Sequence, residues 1–224
     1  RGGMAMKNIL KIMLMMIAIF TIAGSAVYAA EIPVSDQDQL ITSRDWTEIS
    51  NLQDEMKKEE PDATIDYDKA LKVYVDCNLI KLQTADTKKL TSALESANYV
   101  WVIPFKMEKT YGMFTVAKGL PLSEEAKSVL TKAEQEEVKN HAGKWMITET
   151  AEHTVEPYYD ILLEKREALS DCTRVVLVGS QPGMRQPVAL GMDDETARIW
   201  ISLGYQYPVM EKIPETQNVE SGVY

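Results

Sequence analysis

Few side chains in this sequence combine a chemically reactive type with a useful spacing. The chain of 224 residues has two histidines, His141 and His153, and two cysteines, Cys77 and Cys172. A Ser–His or Cys–His enzyme would have to use one of these histidines as its base. His141 lies at the end of a predicted acidic helix, where the helix dipole favours a cation, so its expected role is structural. The sequence therefore predicts no catalytic residue and no cofactor.

The two cysteines favour a structural disulfide over a catalytic thiol. Cys77 closes one predicted strand and Cys172 opens a later one, and an even cysteine count in an exported chain is typical of a disulfide. A Cys77–Cys172 bond would close a loop of about 95 residues, for which the chain-entropy model gives about 4–5 kcal/mol. The alternatives are two buried thiols that act as small hydrophobic side chains and a nucleophilic cysteine.

A short acidic stretch has side chains of the types that bind divalent metals. The candidates are Glu149, Glu152, His153 and Glu156. If the stretch were a helix, Glu149, either Glu152 or His153, and Glu156 would share one face and could hold a metal ion. The proline that follows favours a loop over a helix, so we interpret the stretch as a solvated acidic loop and assign no metal.

One pair of side chains is a candidate contact for a ligand or a partner protein. In the last predicted strand of the well-patterned C-terminal region, Ile199 and Ile201 occupy one face. Arg198 and Trp200 occupy the other. If the isoleucines point inward, Trp200 is exposed and, together with Arg198, would meet a ligand or a partner.

Residues 6–29 have the pattern of a secretory signal peptide. Lys7 and Lys11 form a basic n-region, and Ile12 to Ala23 is an apolar h-region too short for an ordinary membrane span. Small residues then precede a cleavage site expected between Ala29 and Ala30, so residues 1–29 are assigned to the signal peptide. An uncleaved anchor is the alternative, because a tilted segment could just span the bilayer.

The first three residues, Arg1-Gly2-Gly3, precede two possible start methionines, Met4 and Met6. A purine-rich run of codons, AGG-GGN-GGN, would encode them and resembles a bacterial ribosome-binding site. We therefore interpret residues 1–5 as translated upstream sequence and the source as a bacterium.

The charge of the chain restricts its partners. The net charge is −10, and without residues 1–29 the chain has 21 basic and 34 acidic residues, a net charge of −13. Such a surface repels phosphate backbones and anionic lipid head groups, which excludes nucleic acid as a partner class. The expected partners are a small molecule or an extracellular protein, with membrane contact only through an uncleaved signal segment.

Hydrophobic periodicity places these candidates on alternating helices and strands. Residues 30–43 are polar and aperiodic and are predicted to be a linker, residues 44–207 a single domain, and residues 208–224 a loose tail. Helices are predicted at about 45–59, 86–97, 123–142 and 157–169. Strands are predicted at about 70–77, 99–105, 113–118 and 144–150, and the strand at 70–77 is predicted to be half-buried.

Residues 173–202 carry the clearest strand pattern, with three apolar runs separated by two turn signals. This pattern predicts a three-stranded antiparallel meander. The first turn, Gln181 to Met184, fits type II because Pro182 presets φ and Gly183 accepts a positive φ. The predicted fold is therefore α+β, with a mostly antiparallel sheet, a C-terminal meander and several flanking helices.

The order of two strands, intervening helices and three strands is similar to that of extracellular PAS-like sensor domains. The additional strand that begins near Lys144 departs from that order. The function we expect is a secreted, non-enzymatic domain that binds a small ligand or a protein partner. An exported hydrolase that uses carboxylates for acid–base chemistry and a structural cell-envelope protein are the alternatives.

Overall fold

The structure, a computed structural model, describes residues 32–82, 84–153, 156–179, 186–204 and 209–210. The predicted signal peptide with its cleavage site at Ala29–Ala30, the turn at residues 181–184 and residues 211–224 of the predicted tail lie outside the described residues. Within the described part of the chain, no helix is both long enough and apolar enough to cross a membrane.

A single mostly antiparallel sheet forms the centre of the fold. Its strands are β1 Thr64–Ile65, β2 Leu71–Tyr74, β3 Tyr99–Lys106, β4 Tyr111–Lys118, β5 Trp145–His153, β6 Arg174–Val178, β7 Val188–Met192, β8 Ala197–Ser202 and β9 Val209–Met210. They follow the order β5-β4-β3-β2-β6-β7-β8-β9, and β1 pairs with β3 beyond the end of β2.

The pairing directions confirm the predicted α+β class. β2 and β6 are parallel, whereas the other pairs of these strands are antiparallel. β6, β7 and β8 form the predicted meander. The sheet departs from the two-plus-three strand order of PAS-like sensor domains, because the described part of the chain contributes nine strands to it.

Short helices flank the sheet. They are α1 Trp46–Ile49, α2 Gln53–Glu59, α3 Leu79–Leu82, α4 Thr87–Glu95, α5 Glu124–Val129, α6 Lys132–His141 and α7 Tyr158–Glu164. A 3-10 turn at Ser50–Leu52 joins α1 to α2, and together they form the predicted N-terminal helix. Asp86 caps α4 as its position in the sequence predicts, since its side chain accepts a hydrogen bond from the Lys89 amide.

The helix predicted to begin after Ser123 is divided into α5 and α6. The Thr131 hydroxyl accepts a hydrogen bond from the Glu134 amide, while the Glu134 carboxylate accepts one from the Thr131 amide. This reciprocal capping box begins a new helix. The apolar stripe of the predicted single helix is consequently not buried, and Val129 is 80% exposed. Gly143 ends the segment with a φ of 77°.

The central strands are covered on both faces. On β2, Leu71 and Val73 point to what we call the front face, and the two alternate residues point to the back face. All four residues of β2 are buried, so the predicted half-buried strand is wrong. α7 packs on the front face. On the back face, α1 and α2 cover β3 to β5, and α3 and α4 cover β6 to β8.

The predicted linker is part of the folded domain. Ile32 and Val34 are buried on the front face, and Leu40 is fully buried on the back face. Val34 also forms a parallel bridge with Val175 of β6. β9 similarly extends the sheet past the predicted end of the domain. The N-terminal segment buries isolated apolar residues among polar ones, which is why it shows no periodicity.

Candidate ligand-binding cleft

The two cysteines do not form the predicted disulfide. Cys172 is buried in the front-face cluster that contains Leu169, and Cys77 is buried in the back-face cluster that contains Leu90. The sheet lies between them, so the sulfur atoms cannot reach bonding distance while the sheet is folded. Burial raises the pKa of both thiols, which disfavours the thiolate that nucleophilic chemistry needs.

The acidic stretch proposed for metal binding is neither the helix that would hold a metal nor the predicted loop. β5 continues to His153, and strand alternation points Glu149 to the front face and Glu152 to the back face. Glu156 follows β5 and is exposed. Within the described residues, no three His, Cys, Asp or Glu side chains are grouped in a way that could hold a metal ion.

Trp200 is buried, not exposed. It is 0% exposed and belongs to the back-face cluster that contains Leu94 of α4. Ile201 is buried in the front-face cluster, so β8 is covered on both faces and the predicted contact through Trp200 is wrong. Arg198 remains on the surface, where its guanidinium donates a hydrogen bond to the carboxylate of Asp193.

A cleft of about 260 Å³ lies between α7 and the front face of β2, β3, β4 and β5. We call it the valine cleft. Its floor is apolar and is formed by Val73, Val75, Val100, Val102 and Met113. Hydrogen-bonding side chains also line it, namely Thr115, Glu149, Tyr158 and Gln186. A concave apolar surface with a few polar groups is typical of a small-molecule site.

The register of the sheet builds this floor. Val102 lies opposite Thr115, and Thr115 lies opposite Glu149, so one row of side chains crosses β3, β4 and β5 on the front face. Val73 lies opposite Val100 in the adjacent row. Branched side chains at alternate positions of neighbouring strands therefore form one continuous surface.

Tyr158 is the polar group that α7 contributes to the cleft. Its hydroxyl donates a hydrogen bond to Oε1 of Gln186 at 2.9 Å. Burial, together with the negative charge of Glu149, raises the pKa of Tyr158 to about 12. The hydroxyl is therefore neutral at physiological pH and serves as a hydrogen-bonding group, not as a base. The sequence places Tyr158 in the helix predicted at about 157–169 but does not reveal this role.

Two other cavities lie among the described residues. One of about 480 Å³ is lined by Tyr99, Lys118 and Trp145 near one end of the sheet. Lys118 is engaged there, since its Nζ lies 5.5 Å from the Trp145 ring centroid and 3.5 Å from the Glu48 carboxylate. The other, of about 620 Å³, lies beside α5 and α6. The tyrosine of the valine cleft, Tyr158, is buried, whereas Tyr99 of the 480 Å³ cavity, whose pKa burial also raises, is only half-buried.

A buried group of charges lies on the back face of the sheet. Asp38 is 2% exposed. Its carboxylate accepts hydrogen bonds from the Tyr74 hydroxyl at 2.8 Å and from the Arg174 guanidinium at 3.1 Å. The Nζ of Lys72 lies 3.6 Å from the same carboxylate. This group joins the N-terminal segment to β2 and β6.

The environment of Lys72 is otherwise aromatic. Its Nζ lies 4.6 Å from the ring centroid of Tyr99 and 5.2 Å from that of Trp101. Burial lowers the pKa of Lys72, although the carboxylate of Asp38 opposes this effect. Neither Lys72 nor Asp38 lines any of the three cavities described above, so we assign the group a structural role.

The valine cleft is therefore the candidate site: an apolar floor, a tyrosine hydroxyl held by Gln186, and an exposed carboxylate on Glu149. Comparison of the chain with models of known protein families, with curated proteins and with solved structures finds no match.

Proposed function

We propose that this protein is an exported domain that binds a small molecule in the valine cleft without catalysing a reaction on it. The observation that carries this proposal is the apolar floor bordered by hydrogen-bonding side chains in a cavity of about 260 Å³. Small-molecule pockets are lined mainly by apolar side chains, with few polar groups to orient the ligand. The signal-peptide pattern of residues 6–29 supports a location outside the cytoplasm.

The lining of the cleft favours a ligand with an apolar body and a cationic head group. Among the described residues that line the cleft, Glu149 alone is charged. Its carboxylate accepts hydrogen bonds and repels anions. The carbonyl oxygen of Gln186 accepts the Tyr158 hydroxyl, whereas the exposed Glu149 carboxylate accepts only a 3.5 Å hydrogen bond from Thr115 among the described residues and has lone pairs available to a ligand. Small aliphatic or aromatic amines combine these properties.

A thermal-shift screen of the full-length protein tests the proposal. The panel comprises small amines, amino acids, nucleobases and sugars. A ligand at 100 times its Kd adds about 2.7 kcal/mol to the free energy of unfolding. That corresponds to a rise of a few degrees in Tm for a protein of this size. We expect the amines to raise Tm.

Two tryptophan variants on β5 provide a matched control. Ala151 is half-buried and lines the cleft, so Ala151→Trp should fill the cavity and abolish the shift. Glu152 is exposed at the next position and points to the back face, so Glu152→Trp should retain the shift. A shift that survives Ala151→Trp would move the ligand to another site. A blank panel over a cooperative melt would contradict small-ligand binding itself.

A further inference from the structure

The chain between β4 and β5 leaves the sheet as two helices that contain no buried residue. This holds for both α5 and α6. Local hydrogen bonds define their shape. The Ser123 side chain caps α5, Thr131 and Glu134 cap α6, and the side-chain amide of Gln135 donates to the Leu130 carbonyl at 2.9 Å. The segment is thus an ordered structure without a core of its own.

A groove of about 620 Å³ runs beside these helices and the start of β5. We call it the helix groove. Its walls are mainly apolar and include Leu120, Leu122, Ala126, Leu130, Val138 and Met146. None of these side chains is buried, and Leu120 is 59% exposed. Apolar surface left in water is unfavourable, and a continuous patch of it marks an interaction site.

The charged residues that line the helix groove are acidic. Glu134 and Glu137 line it together with His141, and the described lining contains no lysine or arginine. Two lysines of these helices are paired with other carboxylates, since Lys127 pairs with Glu124 and Lys139 pairs with Glu136. A partner with basic side chains beside apolar ones would therefore match both the walls and the charge of the groove.

We infer that the helix groove binds an amphipathic helix of another protein, with apolar side chains in the groove and lysine or arginine side chains beside Glu134 and Glu137. A helix fits because its apolar side chains recur at i, i+3, i+4 and i+7 and form one stripe that can fill an apolar groove. A second copy of this chain is a poor occupant, since its net charge of −10 opposes an acidic surface. This site is separate from the valine cleft.

Synthetic peptides test this inference on the full-length protein. The probe is a fluorescein-labelled peptide of leucine and lysine, about 18 residues or five helical turns long, with its leucines on one face. One comparison peptide has glutamate in place of lysine, and another has the same composition without helical periodicity. At about 150 mM salt, where long-range attraction is screened, only the first peptide should bind in an anisotropy titration.

Matched variants separate the groove from general attraction to an acidic protein. Val138→Asp places a charge in the groove and should weaken binding about tenfold. Val129→Asp, at an exposed position of α5 outside the groove lining, should leave binding unchanged. Glu137→Lys should weaken binding about tenfold, whereas Glu125→Lys, also outside the lining, should have little effect.

All four substituted positions lie on helices that bury no residue, so the variants should fold. Circular dichroism can verify this, and a change in binding can then be assigned to the substituted side chain. Loss of binding confined to Val138→Asp and Glu137→Lys supports the inference. Equal losses within either pair, equal binding of the aperiodic peptide, or no binding of the amphipathic peptide would overturn it.

Discussion

Asp38 has a carboxylate that is almost inaccessible to water and is surrounded by donors from distant parts of the chain. The Ser35 hydroxyl donates to it at 2.6 Å, in addition to the bonds from Tyr74 and Arg174. Removal of one member of a buried ion group leaves the other charges without compensation, which costs more than the group contributes when intact. The contribution of this network to stability is therefore measured most clearly by removing one of its members.

Asp38→Ala is expected to lower the free energy of unfolding by about 3–5 kcal/mol, because buried Lys72 and half-buried Arg174 would lose the carboxylate that both contact. Urea denaturation measures the change. Asp36→Ala is the control in the same 3-10 turn; Asp36 is exposed, so its loss should change stability by no more than about 0.5 kcal/mol. Equal effects of the two variants would show that the network is not stabilising.

Tyr158 makes stability depend on pH in the alkaline range. Its ordinary pKa of 10.0 is raised to about 12 in the fold by burial and by Glu149. The contribution of the neutral hydroxyl is therefore fully present below pH 10 and is lost as the pH rises through about 12. The difference corresponds to about 3 kcal/mol.

Comparison with Tyr158→Phe isolates this effect, because other alkaline titrations are common to both proteins. Between pH 8 and pH 12, the free energy of unfolding of the unsubstituted protein should fall by about 2–3 kcal/mol more than that of the variant. Chemical denaturation at several pH values provides the measurement. Parallel pH profiles would show that the hydroxyl ionises without penalty in the fold.

At the level of elements, α5 and α6 are stabilised by helix caps and by backbone hydrogen bonds where the segment leaves and rejoins the sheet, not by burial. The Gly119 amide donates to the Lys144 carbonyl at 2.9 Å, and the Gly143 amide donates to the Gly119 carbonyl at 2.8 Å. A Cβ atom at Gly119 would lie 2.7 Å from the carbonyl carbon of His141, so the two backbones approach too closely for any side chain. Helices this short are marginal in water without such supports.

Thr131→Ala is expected to destabilise α6 by about 1 kcal/mol, because it removes the side chain that caps the first turn. That change corresponds to about fivefold faster amide exchange in α6. Hydrogen exchange followed by mass spectrometry should detect it, while α5 remains unchanged. Ser123→Ala should have the converse effect. Equal acceleration in both helices after either substitution would mean that the segment opens as one unit.

At the level of the whole molecule, burial of both sheet faces determines whether the two cysteines can form a disulfide. Cys77 and Cys172 lie in clusters on opposite sides of the sheet. Each thiol acts there as a small apolar side chain whose pKa burial raises. Redox conditions should therefore have little influence on stability.

Addition of a reductant should leave Tm unchanged, and alkylation after denaturation should label both cysteines without prior reduction. Scanning calorimetry and intact-mass measurement provide the two observations. A disulfide that closed the loop between these positions would contribute about 4–5 kcal/mol in the chain-entropy model. A fall of several degrees in Tm on reduction would therefore contradict the arrangement of the two clusters.

Local signals account for most of the elements that were predicted correctly. Asp86 caps α4 through the Lys89 amide at 3.0 Å, and Gly143 adopts the positive φ expected after a helix. The division of the predicted helix at Thr131 could also have been predicted from the sequence, since threonine followed three residues later by Glu134 is the signature of a capping box. These features depend on a few neighbouring residues, which is why the amino-acid order alone reveals them.

The sequence by itself determined the α+β class and the meander, because side-chain alternation and turn residues act over a few positions. Only the tertiary structure paired β2 with β6, two strands far apart in the chain. The tertiary structure also placed α7 over the front face, brought Glu149 near Tyr158, separated the cysteines and buried Trp200. Alternation states that a strand has two faces, but packing between distant segments decides what covers each face, and therefore where a cleft remains.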